Sequence, residues 1–422
     1  MMQSPLLLQL VVILGTARLL ALLLRWFGQP PVIGEMIAGL VLGPVVFGAL
    51  APHLQAAVFP KASLDGLDGL SQIGLVLFMF IVGAELRMQG GARKQLTAAG
   101  WVGVLSVLLP MAAGIAITPL LYGRFAPAGV GFWTFALFMA ASMAITAFPV
   151  MARILKERTM THTPIGRLAL TSAAIADVFA WIMLAAVVAL VASGGGWAGL
   201  AKTLGGLLLL TVFAFAVIRP LMARFLARFA TDGKPHGSVL AILLICTFVF
   251  AATTQWLQVH AVFGAFLFGA CLPRDDRLLH TLIERIEYIA VLVLMPVFFA
   301  LAGLNTTRDA FVGAGGGALL LILAAAVLGK LLGGAIGARL GGSPWRDALG
   351  LGSLMNARGL MELIVMKVGL DAGVIGHEIF TMLMVMAIAT TIMTTPMLIL
   401  FAPRGARKPV VALPAGRGLG SA

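Results

Sequence analysis

Apolar runs of about 20 residues, separated by short polar segments, follow one another along nearly the whole chain. A helix needs about 20 mostly apolar residues to cross the hydrocarbon core of a bilayer. The pattern predicts thirteen membrane helices, which puts the two termini on opposite sides of the membrane. Their approximate ranges are 6–26, 32–48, 66–86, 97–119, 129–154, 164–192, 198–220, 238–256, 258–272, 285–303, 311–340, 346–369 and 377–402.

The fifth predicted helix contains a residue that interrupts helices near its midpoint. In the stretch FMAASMAITAFPVMARIL, Pro149 has no N–H, so the carbonyl of Ile145 loses its helical partner. Ser142 and Thr146 offer hydroxyl groups beside this gap. A simple proline kink is the ordinary explanation for such a stretch taken alone.

The twelfth predicted helix carries a comparable break. In LGLGSLMNARGLMELIV, three glycines and Asn356 surround Arg358. The two breaks lie in the middle members of helices 4–6 and 11–13, seven helices apart, so these sets have opposite orientations. Interrupted helices at corresponding places in two halves indicate a transporter site, because unwound backbone at membrane depth persists only where it lines a cavity. We therefore predict an all-α polytopic membrane protein with inverted repeats.

Composition supports a membrane protein and removes one alternative. Of the 422 residues, 61% are hydrophobic and 11% are charged, which is far from the composition of soluble domains. The net charge of +13 would suit nucleic-acid binding, but most Lys and Arg residues fall on one side of the predicted topology. The positive-inside rule explains this asymmetry with the N-terminus outside and the C-terminus in the cytoplasm. We expect a bacterial inner membrane protein with no nucleic-acid partner.

Few ionisable residues are embedded in the predicted helices, and each costs at least about 2.5 kcal/mol at a helix centre. Asp177 is the clearest case, because it lies mid-helix and is too short to reach the interface. Burial disfavours the charged form of a carboxylate, so such a group can hold a proton or a cation. If both compete for it and the protein moves only when the site is occupied, exchange follows. The other embedded residues are Arg18, Lys330, Arg358, Glu35, Glu85 and Glu362.

The breaks supply further candidates for the site. Helix ends carry partial charges, so we expect Arg358 to neutralise carbonyl groups at the second break. Thr146 and the carbonyls freed near Pro149 are expected to supply oxygen ligands. Lys330 either pairs with Asp177 or has a structural role.

Seven stretches of the chain resemble, in order, the monovalent cation:proton antiporter family 2, and within it the cation/proton exchanger branch of plants and bacteria. The resemblance covers nearly the whole chain. The stretches are QPPVIGEMIAGLVLGP, FIVGAEL, AITAFPVMARILKER, IGRLALTSAAIADVFAWIMLA, HAVFGAFLFG, MPVFFALAGL and LMNARGLMELIV.

This resemblance implies a sodium/proton antiporter fold with two discontinuous helices that cross at the membrane midplane. It implies a homodimer in which core helices of about 97–192 and 311–402 move against dimerisation and scaffold helices. The transmembrane domain would occupy residues 1–405 and a short basic tail 406–422. The expected ion-binding residues are Asp177, Thr146 and Asn356, with charge compensation by Lys330 and Arg358 and possible support from Ser142, Glu85 and Glu362.

One departure from the family pattern affects the predicted stoichiometry. Members of this branch usually carry Asp-Asp or Asn-Asp where this chain has Ala176-Asp177. We therefore expect an electroneutral exchange of one K⁺ or Na⁺ for one proton by alternating access, without a cofactor, in pH homeostasis.

Two other transport functions remain open at this point. One is a potassium efflux system gated by a separate subunit, and the other is a cation-coupled symporter of an organic solute. An enzyme is not expected, because the six histidines are scattered and form no metal-binding or nucleophile-base spacing.

Overall fold

A computed structural model describes residues 5–85, 93–161, 163–192, 197–229, 237–257, 260–273 and 286–401, and these residues contain no β-strand. We number the helices in chain order. Their bounds are α1 Pro5–Trp26, α2 Pro31–Leu42, α3 Phe47–Leu50, α4 Pro52–Val58, α5 Leu64–Glu85, α6 Arg93–Phe125, α7 Phe132–Ala144, α8 Phe148–Glu157, α9 Pro164–Ala192, α10 Trp197–Phe213, α11 Arg219–Phe229, α12 Gly237–Trp256, α13 Ala261–Cys271, α14 Ile286–Leu304, α15 Gly315–Leu340, α16 Trp345–Met355, α17 Leu360–Asp371 and α18 His377–Phe401.

Both predicted breaks are present, each between two helices. The first is the extended segment 145–147 between α7 and α8, and Pro149 follows in the first turn of α8, where the missing N–H costs no hydrogen bond. The second is the segment 356–359 between α16 and α17. A Cβ on Gly359 would lie 2.8 Å from Cγ2 of Val150, so this glycine permits the close approach of the second break to α8.

Several helices differ in extent from the sequence prediction. Within the described residues, nine helices are long and apolar enough to cross a membrane, and α7 and α13 are shorter apolar helices. The helix predicted at 97–119 is longer in the structure. As α6 it continues to Phe125, and it contains the internal prolines Pro110 and Pro119. The predicted helix 198–220 also continues, through a π-helical turn at Ala214–Ile218, into α11. The total of thirteen helices stays a prediction.

A glycine-lined face of α15 brings this helix close to α6. A Cβ on Gly329 would lie 2.8 Å from Cα of Pro110, and one on Gly337 would lie 2.6 Å from Cα of Val102. Gly333, between them, lies against the carbonyl of Leu105. Because the two backbones approach so closely, the side chain of Lys330 enters the interior of the helix bundle.

Two predicted features lie partly or wholly outside the described residues. Glu85 is the last residue of α5, but its side chain is not among the described parts of the chain. The predicted tail 406–422 also lies outside the described residues. The division into a mobile core and a scaffold stays a prediction.

Candidate ion-binding site at the helix crossing

The two breaks meet in the interior of the protein. The backbone N–H of Ala147 donates a hydrogen bond to the carbonyl of Ala357 over 2.9 Å. The hydroxyl of Thr146 donates a second, longer hydrogen bond to the carbonyl of Met355 over 3.4 Å. The two breaks therefore form hydrogen bonds with each other through backbone groups that have no helical partner. Buried irregular backbone requires such partners.

Arg358 neutralises the first break rather than the second. Its guanidinium donates to the carbonyls of Ser142 and Met143, over 2.9 and 2.8 Å, and to Oε1 of Glu362 over 2.7 Å. The two carbonyls belong to the last turn of α7, where they have no helical partner and carry partial negative charge. Our expectation that Arg358 acts on the carbonyls of its own break was wrong, because its side chain crosses to the opposite segment.

Lys330 completes the neutralisation of α7. Its fully buried ammonium group donates to the carbonyl of Ala144, to the carbonyl of Ser106 over 3.0 Å and to Oγ1 of Thr146 over 2.6 Å. An ammonium group has three protons, and three acceptors surround this one. The oxygen of Thr146 thus faces a cationic donor, which weakens the expectation that Thr146 is a free ligand for an ion.

The backbone of Arg358 is held by a residue that the sequence analysis missed. The hydroxyl of Thr391 on α18 accepts from the N–H of Arg358 and lies 2.9 Å from the carbonyl of the same residue. Thr391 belongs to a stretch, ATTIMTTP, with four threonines in an otherwise apolar helix, and all four are buried. That polar cluster was the available sign of a contact with the broken segment.

Asp177 is buried, and its carboxylate has no hydrogen bond among the described residues. Its side chain lies in α9, the residue is 1% exposed, and neither carboxylate oxygen has a hydrogen-bond partner within the described part of the chain. Lys330 acts on it electrostatically but donates its protons elsewhere. The neighbouring Ala176 packs with Ala144 and Val107, so α9 lies against the end of α7.

Other buried polar atoms around the breaks also lack partners in the described residues. They are Oγ of Ser142 in the last turn of α7, both amide atoms of Asn356 and Nε of Arg358 in the second break, and Oε2 of Glu362 in α17. Unsatisfied buried polar groups are rare and costly, and they are typical of places that bind a ligand or ion. The structure brings Ser142, Thr146, Lys330, Asn356 and Arg358 together at the two breaks.

A cavity of about 600 Å³ leads toward the crossing. Ala147, Phe148 and Met361, which belong to the broken helices, form part of its wall. Asp177 is not among the described residues that line this cavity. No group of His, Cys, Asp and Glu residues suited to a metal ion occurs in the described segments.

Apolar spanning helices, two breaks that meet in the interior, and an isolated carboxylate together define a secondary membrane transporter. The chain belongs to the sodium/hydrogen exchanger family, whose transmembrane model matches residues 11–400. This membership confirms the transporter class and the resemblance drawn from the seven sequence stretches.

Relatives span several kingdoms. The chain is 39% identical over 399 residues to the Na⁺/H⁺ antiporter NhaS4 of Synechocystis, covering 93% of this chain and 96% of that protein. It is 37% identical to cation/H⁺ antiporter 18 of Arabidopsis thaliana and 33% identical to K⁺/H⁺ antiporter 1 of Saccharomyces cerevisiae, covering 92% and 93% of this chain. It spans only 48% and 46% of those two longer proteins.

The fold is also that of a solved antiporter. The structure of a sodium/proton antiporter from Methanocaldococcus jannaschii matches 97% of this chain and all of its own chain, with a TM-score of 0.60 and 15% sequence identity. This likeness confirms the predicted fold class.

Proposed function

We propose that this protein exchanges a monovalent cation, K⁺ or Na⁺, for protons by alternating access, with Asp177 as the group that both ions occupy in turn. The isolation of Asp177 carries the proposal. A buried carboxylate with no hydrogen-bond donor costs several kcal/mol when it is charged and unpaired. A proton or a bound cation removes that cost, and both cannot occupy the site together.

The partners of Lys330 support a stoichiometry of one cation for one proton. Its three donors meet three oxygen acceptors, which favours a fixed structural charge over a carrier of the transported proton. Ala176 supplies no second carboxylate beside Asp177. The site then carries the same charge in both loaded states, so a complete exchange cycle moves no net charge.

The membrane setting is proposed on the same grounds as in the sequence analysis. The excess of Lys and Arg on one side supports an external N-terminus and a cytoplasmic C-terminus. We further propose a homodimer in a bacterial inner membrane, in which the core helices move against the scaffold.

The first experiment measures dissipation of an imposed pH gradient in proteoliposomes. Na⁺, K⁺ and Li⁺ are added in turn to the wild type and to Asp177→Asn. We expect a response to at least one cation in the wild type and none in the variant. Full activity of Asp177→Asn would overturn the role of this carboxylate, and no wild-type response to any cation would overturn antiport itself.

The form of the cavity favours antiport over symport of an organic solute. A polar solute calls for polar side chains at the binding site, whereas the wall of the large cavity near the crossing consists mainly of apolar side chains such as Phe78, Val82, Phe148 and Phe299. Solute-dependent cation uptake in the same proteoliposomes would nevertheless identify a symporter.

A further inference from the structure

A second carboxylate lies in the wall of the large cavity. Glu35 belongs to α2, its side chain is only 6% exposed, and it lines the same cavity as Ala147 and Met361 at the crossing. Glu35 and the broken helices therefore face the same cavity. The function described so far does not use this residue.

The neighbouring arginine does not account for the position of Glu35. Nη1 of Arg18 lies 4.0 Å from Oε1 of Glu35, which is beyond hydrogen-bond distance, and the Arg18 side chain is 42% exposed. Nη2 of Arg18 instead lies 3.3 Å from the carbonyl of Leu292. Leu292 lies in the π-helical turn Ala290–Leu294 of α14. Arg18 thus has a backbone acceptor of its own and does not require Glu35 to hold it.

Charged side chains that line the cavity indicate how Glu35 could act on a cation. Lys156 of α8 lines the cavity and is exposed, and it repels a cation there, whereas Arg153, which also lines the cavity, acts electrostatically on Glu35. Glu287 of α14 also lines it but is exposed, so water screens its charge strongly. Among the described lining residues, Glu35 is the buried carboxylate, and its attraction for a cation is weakened least by solvent.

We propose that Glu35 is a staging site that holds the entering monovalent cation in the cavity before it reaches Asp177. This inference rests on the proposed cation/proton exchange. The carboxylate replaces part of the water shell of the cation and offsets the repulsion from Lys156. Its effect is on binding from the side to which the cavity opens, and it leaves the exchange step at Asp177 unchanged.

The test compares Glu35→Gln with Glu287→Gln, which removes one negative charge from the same cavity. Cation-dependent exchange is measured in right-side-out and in inside-out membrane vesicles. We expect Glu35→Gln to raise the KM for the cation about tenfold on the cavity side, the effect of one lost charge-assisted contact. The KM on the other side and kcat should stay unchanged. Glu287→Gln should raise the KM on the cavity side less than about twofold at physiological salt.

Further variants separate a staging site from a structural role. Glu35→Asp should recover most of the affinity, because it keeps the carboxylate on the same backbone. If Glu35 served only to pair Arg18, the double variant Arg18→Gln/Glu35→Gln would recover the wild-type KM, and that recovery would overturn the proposal. A KM for Glu35→Gln equal to the wild type, or equal effects of both single variants, would overturn it as well. Loss of exchange in the wild type would contradict the proposed function instead.

Discussion

At the scale of single residues, two buried charges of the site have opposite surroundings. Asp177 has no hydrogen-bond partner within the described residues, whereas the ammonium of Lys330 has three. A group with satisfied hydrogen bonds contributes to stability, and a group without them costs stability in return for function. The two residues should therefore respond differently to substitution.

Asp177→Asn is expected to keep or raise the thermal stability of the protein while it abolishes exchange. The amide has nearly the shape of the carboxyl group but no charge to bury, so the cost of an unpaired buried charge disappears. Thermal unfolding of the detergent-solubilised protein, with and without the substitution, checks this expectation. A clear loss of stability would mean that Asp177 has a structural partner in the resting protein.

Lys330→Met is expected to destabilise the protein. It leaves the carbonyls of Ala144 and Ser106 without a donor, at about 1–3 kcal/mol for each buried unsatisfied group. Lys367→Met is a suitable control, because Lys367 forms a partly exposed ion pair with Asp371 whose contribution is at most about 1 kcal/mol. Thermal unfolding of both variants is compared, and Lys330→Met should have the lower melting temperature. Equal melting temperatures would contradict the role of Lys330 as the cap of α7.

At the scale of elements, the fit of α15 against α6 decides where Lys330 lies. Gly329, Gly333 and Gly337 form one face of α15 in contact with the α6 backbone. The spacing of four residues places them on one side of a helix. Larger residues there would push the helices apart and withdraw the ammonium group from α7.

Gly333→Ala should reduce both stability and exchange, because its methyl group would collide with the carbonyl of Leu105. Gly317→Ala on the same helix is the matched control. A Cβ at Gly317 meets no atom within 4 Å, and alanine is favoured over glycine in a helix by about 1 kcal/mol. Exchange rates and thermal unfolding of both variants test the difference, and a fully active, stable Gly333→Ala would show that the close packing is not required.

At the scale of the whole molecule, the two ends of α17 have different surroundings. Met361, near the crossing, lines the cavity of about 600 Å³, whereas Lys367 and Asp371 line a cavity of only about 60 Å³. Asp68 and Gln72 of α5 line the small cavity too, and Gln72 donates to Asp68 over 2.7 Å. If α17 moves against α5 during alternating access, this small polar cluster must open.

Linking α5 to α17 across the small cavity should therefore stop exchange. We suggest Gln72→Cys with Lys367→Cys in a Cys246→Ala/Cys271→Ala background, joined by a short bifunctional maleimide. Exchange should fall to background in the cross-linked protein and persist in each single-cysteine protein after the same treatment. Undiminished exchange in fully cross-linked protein would mean that this contact does not open during transport.

Several parts of the site could be predicted from the sequence because they depend on neighbouring residues. Pro149 and the glycines around Arg358 marked both breaks, and the position of Asp177 within an apolar helix marked it as embedded. The carbonyl partners of Arg358 could not be predicted, since they lie on the other broken helix, 216 and 215 residues away. Thr391 was missed because its partner, Arg358, is 33 residues away on another helix.

The sequence by itself determined the membrane environment, the sites of the two breaks and the set of embedded charges, because hydropathy and the backbone preferences of proline and glycine are local properties. Only the tertiary structure decided which charge meets which carbonyl. Lys330 reaches Ala144 across 186 residues because glycines let α15 approach α6, and its protons are donated there rather than to Asp177, which has no hydrogen-bond partner among the described residues. Such pairings depend on how distant helices pack, and no local pattern specifies them.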